Sequence, residues 1–385
     1  MSTPVLVFFW SLVSVLALVS FVRLYLWLVA RYLHENERFD EIHFATTPDN
    51  WRLALLRFRP RVTPLGGAPL ILCHGICSNH RTFDLTDRIS LARFLADRGH
   101  DVWVANLRTV GRSHRLSRHG LAESRATFDD FATLDAPALV QAVLRATGTS
   151  AAIWVGHSLG GHVGLAHAAH NPASGLRGVA TLATTGDFSL QVALRLANVP
   201  RFIAVLPTRL VAHLVAPIAR LLSFPPLSHL FNFATLAPST LRRAVFHTSE
   251  NLPGPLVNQL RRWSNEGKWD SVARDFDYRA ALASVTLPAF IGVAAADRLF
   301  PASAYERLFD EIGSTHKTLA VFGRAEGLSH DYGHVDVVLS DSAAVDVYPR
   351  LADWIETEQG LHTVRGARAA QRGSAKSSRD APRSA

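Results

Sequence analysis

Residues 151–161 read Ala-Ala-Ile-Trp-Val-Gly-His-Ser-Leu-Gly-Gly. Ala151 to Gly156 is a short apolar run of the kind that forms a buried strand, and Leu159 to His170 carries apolar residues at helical spacing. Between them lies the turn Gly156-His157-Ser158-Leu159-Gly160. A backbone that passes from strand to helix in so few residues must bend sharply, and glycines on either side of the serine keep neighbouring side chains from colliding. The bend holds the Ser158 hydroxyl clear of the sheet, where a nucleophile has to be. A purely structural Gly/Ser turn is the competing reading, and the strand before and helix after weigh against it.

Outward from this turn, short β-rich runs alternate with helix-like segments between residues 42 and 184. Ile42 to Ala45 and Arg52 to Phe58 read as an antiparallel pair; Pro69 to Cys73, Asp101 to Asn106, Ala151 to Gly156 and Gly178 to Ala183 read as interior strands. Leu91 to Arg98, Phe128 to Ala146 and Leu159 to His170 read as the helices between them. The alternation predicts an α/β fold, a mostly parallel sheet with helices on both faces. It stops after Thr185 and resumes with Pro288 to Ala294, a gap too long for a loop. Its apolar, helix-like content, as in Val199 to Phe224 with Pro207 and Pro217 as breakers, predicts an inserted helical cap. Those side chains either form the cap's own core, line an acyl-chain pocket or touch a bilayer. Ser303 to Ile312 as helix, Lys317 to Phe322 as the last strand and Ala343 to Thr357 as a closing helix complete the reading.

A serine hydroxyl is a weak nucleophile at neutral pH and needs a base beside it and an acid to orient that base. Asp297, in Ala-Ala-Ala-Asp-Arg-Leu-Phe-Pro just past the Pro288 strand, is the candidate acid, with Asp187 as competitor and a loop or capping aspartate as the bland alternative. His334, in His330-Asp331-Tyr332-Gly333-His334-Val335-Asp336 between the last strand and the closing helix, is the candidate base, with His330 as alternative. Two backbone donors are needed for the developing oxyanion. Leu159 N–H follows from the turn itself, and Ile76 N–H is the second candidate, because Cys73-His74-Gly75-Ile76-Cys77 supplies a glycine after the first interior strand. Cys77 has no base placed beside it and is disfavoured as a nucleophile. No His/Cys/Asp cluster has metal-ligand spacing and no phosphate-binding glycine fingerprint occurs, so neither metal nor organic cofactor is expected.

The chain has 385 residues, 19% of them charged and 48% hydrophobic, enough for a large core plus insertions or tails and incompatible with disorder throughout. Its net charge of +8 is misleading as a sign of an anionic partner. Six basic residues (Arg365, Arg368, Arg372, Lys376, Arg379 and Arg383) against Asp380 put most of it in residues 360–385, a Ser/Ala/Gly/Arg tail expected to be disordered. That tail is either merely solvated or attracted to anionic lipid headgroups; no nucleic-acid partner is expected. The two cysteines, Cys73 and Cys77, imply no disulfide framework and suit a reducing compartment without demanding one.

Pro4 to Val22 contains no charged residue, and Leu24 to Ala30 is apolar again between Arg23 and Arg31. About 20 apolar residues span a bilayer, so residues 1–31 are expected to form an uncleaved signal anchor that crosses the membrane through residues 4–30. A cleaved signal peptide or an interfacial helix is the alternative. Arg23 and Arg31 on the C-terminal flank favour a cytoplasmic catalytic domain.

Thr46 to Leu53, His74-Gly75-Ile76, Ser90 to Asn106, the turn at Ser158 and Tyr332-Gly333-His334-Val335-Asp336 together resemble the acid lipase family, which contains gastric and lysosomal lipases, and more loosely bacterial α/β-hydrolases. The resemblance covers residues 40 to 358. It implies an α/β-hydrolase fold with Ser158, Asp297 and His334 at the triad positions, Ile76 and Leu159 at the oxyanion positions, and residues 186–286 as a cap over the acyl site. The chain departs from the family in having Leu159 where glutamine is usual and Thr109 where glycine is usual. Asp101 to Asn106 is also similar to polyhydroxyalkanoate synthases, whose nucleophile is cysteine; serine at 158 points to hydrolysis instead.

The expected organisation is thus a membrane segment at 1–31, a hydrolase core at 40–185 and 287–359 interrupted by a cap at 186–286, and a basic tail at 360–385. The expected activity is cleavage of a carboxylic ester, a lipid ester in particular. Transfer of the acyl group to an acceptor other than water, or polyester processing, is the rival within enzymes. A catalytically silent scaffold is the rival outside them.

Overall fold

The computed structural model describes residues 3–115, 125–171, 173–188, 200, 203–222 and 227–361. Among them are β1 (Glu41–Thr46), β2 (Trp51–Phe58), β3 (Leu70–Cys73), β4 (Val102–Ala105), β5 (His114–Arg115), β6 (Ala152–His157), β7 (Leu176–Leu182), β8 (Val205–Leu206), β9 (Leu252–Pro253), β10 (Ala289–Ala294) and β11 (Lys317–Phe322). The main sheet runs β1-β2-β4-β3-β6-β7-β10-β11, with β5 paired to β2. β1 with β2 and β2 with β4 are antiparallel, and every pairing from β4 through β11 is parallel.

β3, β4, β6 and β10 are buried at every position, which is why they read as continuous apolar runs rather than alternating ones. Successive side chains still go to opposite faces. Ile71, Trp103, Trp154 and Ile291 join one core cluster; Leu70, Leu72, Val104, Ile153, Val155 and Phe290 join the other. The first face is covered by the helices Ala136–Thr147 and Leu159–His170, through Leu139, Val143, Val163 and Ala166. Leu91–Asp97 and Tyr348–Glu358 cover the second.

Two helices depart from the expected single spans. Phe128 to Ala146 is interrupted by a π-helical segment, Phe131–Asp135, before Ala136–Thr147 begins with Pro137 near its start. A proline cannot donate back to the preceding turn, and the wider π turn accommodates the missing bond. The π turn also delivers the fully buried Asp135, which accepts from Arg108 N at 2.9 Å and Arg108 Nε at 2.8 Å. Burial pushes the Asp135 carboxyl up to about 6 despite Arg108. The closing helix likewise divides into Ala343–Asp346 and Tyr348–Glu358, with Pro349 in the first turn of the second piece. The expected strand Gly178 to Ala183 begins earlier, at Leu176.

Between β7 and β10 the described residues form the helices Thr208–Val215, Pro238–Thr248 and Gly254–Glu266, with shorter turns and the β8–β9 pair. They do not share one core. Ala216, Ala219, Phe231, Leu241, Ala244 and Val245 pack with Val29 of the N-terminal helix and Leu33 just after it. Leu256, Trp263, Trp269 and Tyr278 instead extend the first sheet-face cluster, where Phe128 meets Trp263 edge-on at 5.1 Å between ring centroids. The segment thus bridges the N-terminal helix and the sheet. Residues 189–199, 201–202 and 223–226 of the expected cap, and residues 362–385 of the expected basic tail, lie outside the described residues.

The N-terminal helix spans Thr3–Tyr32 and is long and apolar enough to cross a membrane. Its last third rests on the domain: Val29 and Leu33 are buried, and Tyr25 Oη donates to Leu214 O at 2.8 Å.

Candidate active site

Loops at the C-terminal ends of β3, β6, β10 and β11 converge on one point, the place where open α/β sheets form their sites. Ser158 follows β6 with φ 51° and ψ −121°, a conformation L-residues rarely adopt. Its amide donates to Leu182 O at 2.8 Å, and its carbonyl accepts from Thr184 Oγ1 at 2.8 Å and Gly161 N at 3.0 Å, so the turn is tied down from both sides. A Cβ on Gly160 would lie 2.2 Å from Cys73 O, and one on Gly156 would lie 2.3 Å from Gly161 N. These two glycines are required by close backbone approach rather than by flexibility.

The Ser158 hydroxyl lies 2.8 Å from His334 Nε2, and His334 Nδ1 lies 2.8 Å from Asp297 Oδ2. Burial pushes the Asp297 carboxyl up, but His334, Tyr305 and the Leu299 amide together outweigh it and hold the carboxyl below its ordinary range. Asp297 is therefore an acceptor only. Nδ1 must carry the proton, which leaves Nε2 free to accept from Ser158. The two alternatives raised by the sequence lie elsewhere: Asp187 is 3.8 Å from Arg307, and the Nδ1 of His330 is buried without a hydrogen-bond partner among the described residues.

Asp297 is held from three further sides. Its Oδ1 accepts from Leu299 N at 2.8 Å and Phe300 N at 3.3 Å, and its Oδ2 also accepts from the hydroxyl of fully buried Tyr305. His334 is held through its backbone: His157 Nε2 donates to His334 O at 2.9 Å, and Asp336 accepts from Gly333 N at 2.8 Å. Burial, reinforced by His334, pushes the His157 imidazole down to about 3, so it serves here as a neutral donor. Sequence reading missed Tyr305, His157 and Asp336 as supports. His157 and Asp336 were at least inside the quoted motifs; Tyr305 sits in a helix whose pattern says nothing about it.

Tyr305→Phe removes one charge-assisted hydrogen bond to Asp297, a type worth roughly 1.5–3 kcal/mol, and the carboxylate then orients His334 less firmly. Turnover is expected to fall about tenfold while the fold survives. Steady-state rates across pH check this, and wild-type values throughout would mean that Tyr305 does not support the site.

Gly75 passes directly over the serine: a Cβ there would lie 3.1 Å from Ser158 Cβ. This places Ile76 beside the turn. Neither Ile76 N–H nor Leu159 N–H has an acceptor among the described residues, as the first-turn position of Leu159 would require. Ile76, Leu159, Val110, Phe131 and Leu256 line a narrow apolar cavity at this spot. The Cys77 thiol on its wall donates to Glu250 O at 2.7 Å, and burial pushes that thiol up.

Thr109, on the cavity wall, has φ 72° and a buried hydroxyl oxygen with no partner among the described residues. This is the left-handed region, which costs a β-branched residue roughly 1–2 kcal/mol and a glycine nothing. Thr109→Gly is expected to stabilise the chain by about 1 kcal/mol, read as a rise in Tm of roughly 2–4 °C; a fall would contradict the strain.

Comparison with known proteins follows the same lines. Residues 68–325 match the family described as the alpha/beta hydrolase fold. Lipase 1 of Drosophila melanogaster is 32% identical over 139 residues, 34% of this chain and 29% of that protein. Gastric triacylglycerol lipase of Bos taurus is 32% identical over 133 residues, 32% of this chain and 34% of that protein. The chain thus spans about a third of the length of the curated relatives it matches. A thermophilic esterase from Thermogutta terrifontis superimposes on 83% of this chain and 99% of its own with a TM-score of 0.54 at 17% identity, a likeness of fold alone.

Proposed function

The chain belongs to the α/β-hydrolase fold family, and from that premise we propose that it hydrolyses carboxylic esters, lipid esters in particular, at Ser158 while anchored to a membrane by its N-terminal helix. The observation that carries the reading is the unbroken relay from Ser158 Oγ through His334 to Asp297, each link 2.8 Å. The similarity to lipases named above supports an ester as substrate.

In this mechanism His334 Nε2 takes the Ser158 proton as Oγ attacks the ester carbonyl, and Asp297 stabilises the imidazolium without becoming protonated. The tetrahedral oxyanion is received by the N–H groups of Ile76 and Leu159; one such donor is worth roughly 3–4 kcal/mol at the transition state. His334 returns the proton to the leaving alcohol, giving an acyl-Ser158 intermediate. Water, deprotonated by the same nitrogen, then releases the acid. Within the expected cap at 186–286, Asn251, Pro253 and Leu256 line the cavity beside Ser158 and are proposed to cover the acyl site.

The 30-residue helix Thr3–Tyr32 is proposed as the membrane anchor, with the first two-thirds of it exposed apolar surface. The test uses the full chain in a mild detergent with p-nitrophenyl esters of increasing acyl length. Turnover that rises with chain length, together with a fluorophosphonate adduct on the peptide containing Ser158, is the expected result. A maximum at the shortest esters would overturn the lipid substrate, and an adduct elsewhere would overturn the nucleophile.

A further inference from the structure

A cavity of about 530 Å³ lies where the N-terminal helix meets the domain, within the range of roughly 300–1,000 Å³ typical of small-molecule sites. Leu26 and Ala30 form its helix side; Arg81, Arg112, Arg209, Glu35, Glu37 and Glu250 are the charged groups on its wall. The charges can be paired off. Arg112 bonds Glu37, Arg209 lies 3.5 Å from Glu250, and Glu35 pairs with Arg243 from outside the wall. Each carboxylate is therefore engaged, Glu37 additionally by His80 and Glu250 by Asn79 and the Gly111 amide.

Arg81 is left over. The residue is 3% exposed, and no carboxylate lies within 4 Å of its side chain among the described residues. Its two terminal nitrogens donate to neutral carbonyls, Asn36 O at 3.2 Å and Leu85 O at 2.7 Å, while Nε has no partner. Asp84, Glu37 and Glu35 act on it only from further away. A buried guanidinium without a counter-charge close by is costly, and an anion that completes it recovers much of that.

The position of the cavity narrows the anion. A helix of 30 residues is about 45 Å long, against a hydrocarbon layer of about 30 Å. Leu26 and Ala30, in its final turns, then fall at the level of the headgroups, beside Val29, which is buried against the domain. We propose that this cavity binds the monoanionic phosphodiester headgroup of a membrane lipid, with Arg81 as its counter-ion. The inference rests on the membrane-anchor reading above. One odd positive charge calls for one negative charge, which a phosphodiester carries at neutral pH. The site is distinct from the apolar cavity at Ser158 yet adjoins it: Cys77–Ser78 and Thr109–Val110 line one, and Asn79–Arg81 and Gly111–Arg112 continue into the other.

The experiment is thermal unfolding of the full chain in dodecyl maltoside, with ether-linked phosphatidylglycerol added as a lipid that an esterase does not cleave. Near saturation the lipid is expected to raise Tm by roughly 3 °C or more. Uncharged dialkylglycerol and inorganic phosphate at the same concentration are expected to leave it unchanged. Arg81→Gln should abolish the shift, and Arg81→Lys, which keeps the charge but loses the two-pronged geometry, should reduce it. No shift in the wild type, or the same shift in Arg81→Gln, overturns the site. If Arg81→Gln does not fold, an undiminished shift in Arg81→Lys overturns it instead. A shift with inorganic phosphate alone overturns the lipid as its occupant. Sedimentation of the full chain with alkali-washed membranes tests the anchor separately, so release from membranes with the micellar shift intact would refute the anchor and leave the headgroup site standing.

Discussion

Ser158→Ala is expected to lower kcat toward an ester by about 10⁶-fold and to leave the fold intact. The size of the loss follows from the way the groups act as a unit. Without Oγ, His334 has nothing to deprotonate for attack, and what remains is positioning of the ester and donation from Ile76 and Leu159, which together still exceed the reaction in water by roughly 10³-fold or more. Stability should change little. Among the described residues Ser158 Oγ is bonded only to His334, both backbone groups of residue 158 keep their partners, and alanine tolerates φ 51° about as poorly as serine does. The expected change is within about 0.5 kcal/mol. The measurement pairs single-turnover kinetics on a p-nitrophenyl ester with thermal unfolding of the same preparation. Equal turnover by both forms would sink Ser158 as nucleophile; a lower rate accompanied by a collapsed Tm would mean that the loss was one of folding.

Acid is expected to destabilise the chain as pH falls below about 6.5. His74, His157 and His162 surround the Ser158 turn, all fully buried, and burial pushes their imidazoles down to about 4, 3 and 4. In the unfolded chain each titrates near about 6.5. Below that pH the unfolded state takes up protons that the folded state refuses, so stability is complete above about 6.5 and is lost as pH falls toward the folded values. At pH 5 each histidine accounts for about 2 kcal/mol, or about 6 kcal/mol for the three. Asp135, pushed up to about 6, works in the opposite sense and returns about 1 kcal/mol over the same interval. A loss of several kcal/mol from these groups is comparable with the whole stability of an ordinary domain. Denaturant midpoints between pH 7.5 and 5 check it, with His162→Gln expected to flatten the profile. A midpoint that does not move across this range would refute the neutral buried histidines.

Much of the site's framework was legible because it depends on residues close together in the chain. The turn at Ser158 is set by a strand, two glycines and a helix within twenty residues, and Leu159–His170 has the bounds the spacing predicts. Lys317–Phe322 likewise has its expected bounds, though it is only partly buried. The prolines were harder. Pro137 and Pro349 were visible, yet whether a proline ends a helix, bends it or widens one turn depends on what packs beside it; at 137 that is the buried bond between Arg108 and Asp135. The region after Thr185 was legible as helical and apolar but not in its partition, since Trp263 and Trp269 face the sheet while Ala244 and Val245 face the N-terminal helix.

The sequence by itself determined the class of fold, the strained position of Ser158 and the presence of one apolar helix long enough to cross a bilayer. These follow from periodicity and turn chemistry, which act over a few residues. Only the tertiary structure decided which aspartate and which histidine meet that serine, since Ser158 and His334 are 176 positions apart and are brought together by the parallel sheet. It alone revealed Tyr305 behind Asp297, and Arg81 buried without a counter-charge. Hydrogen bonds and ion pairs between distant segments are satisfied or left open by packing, and no spacing along the chain records which.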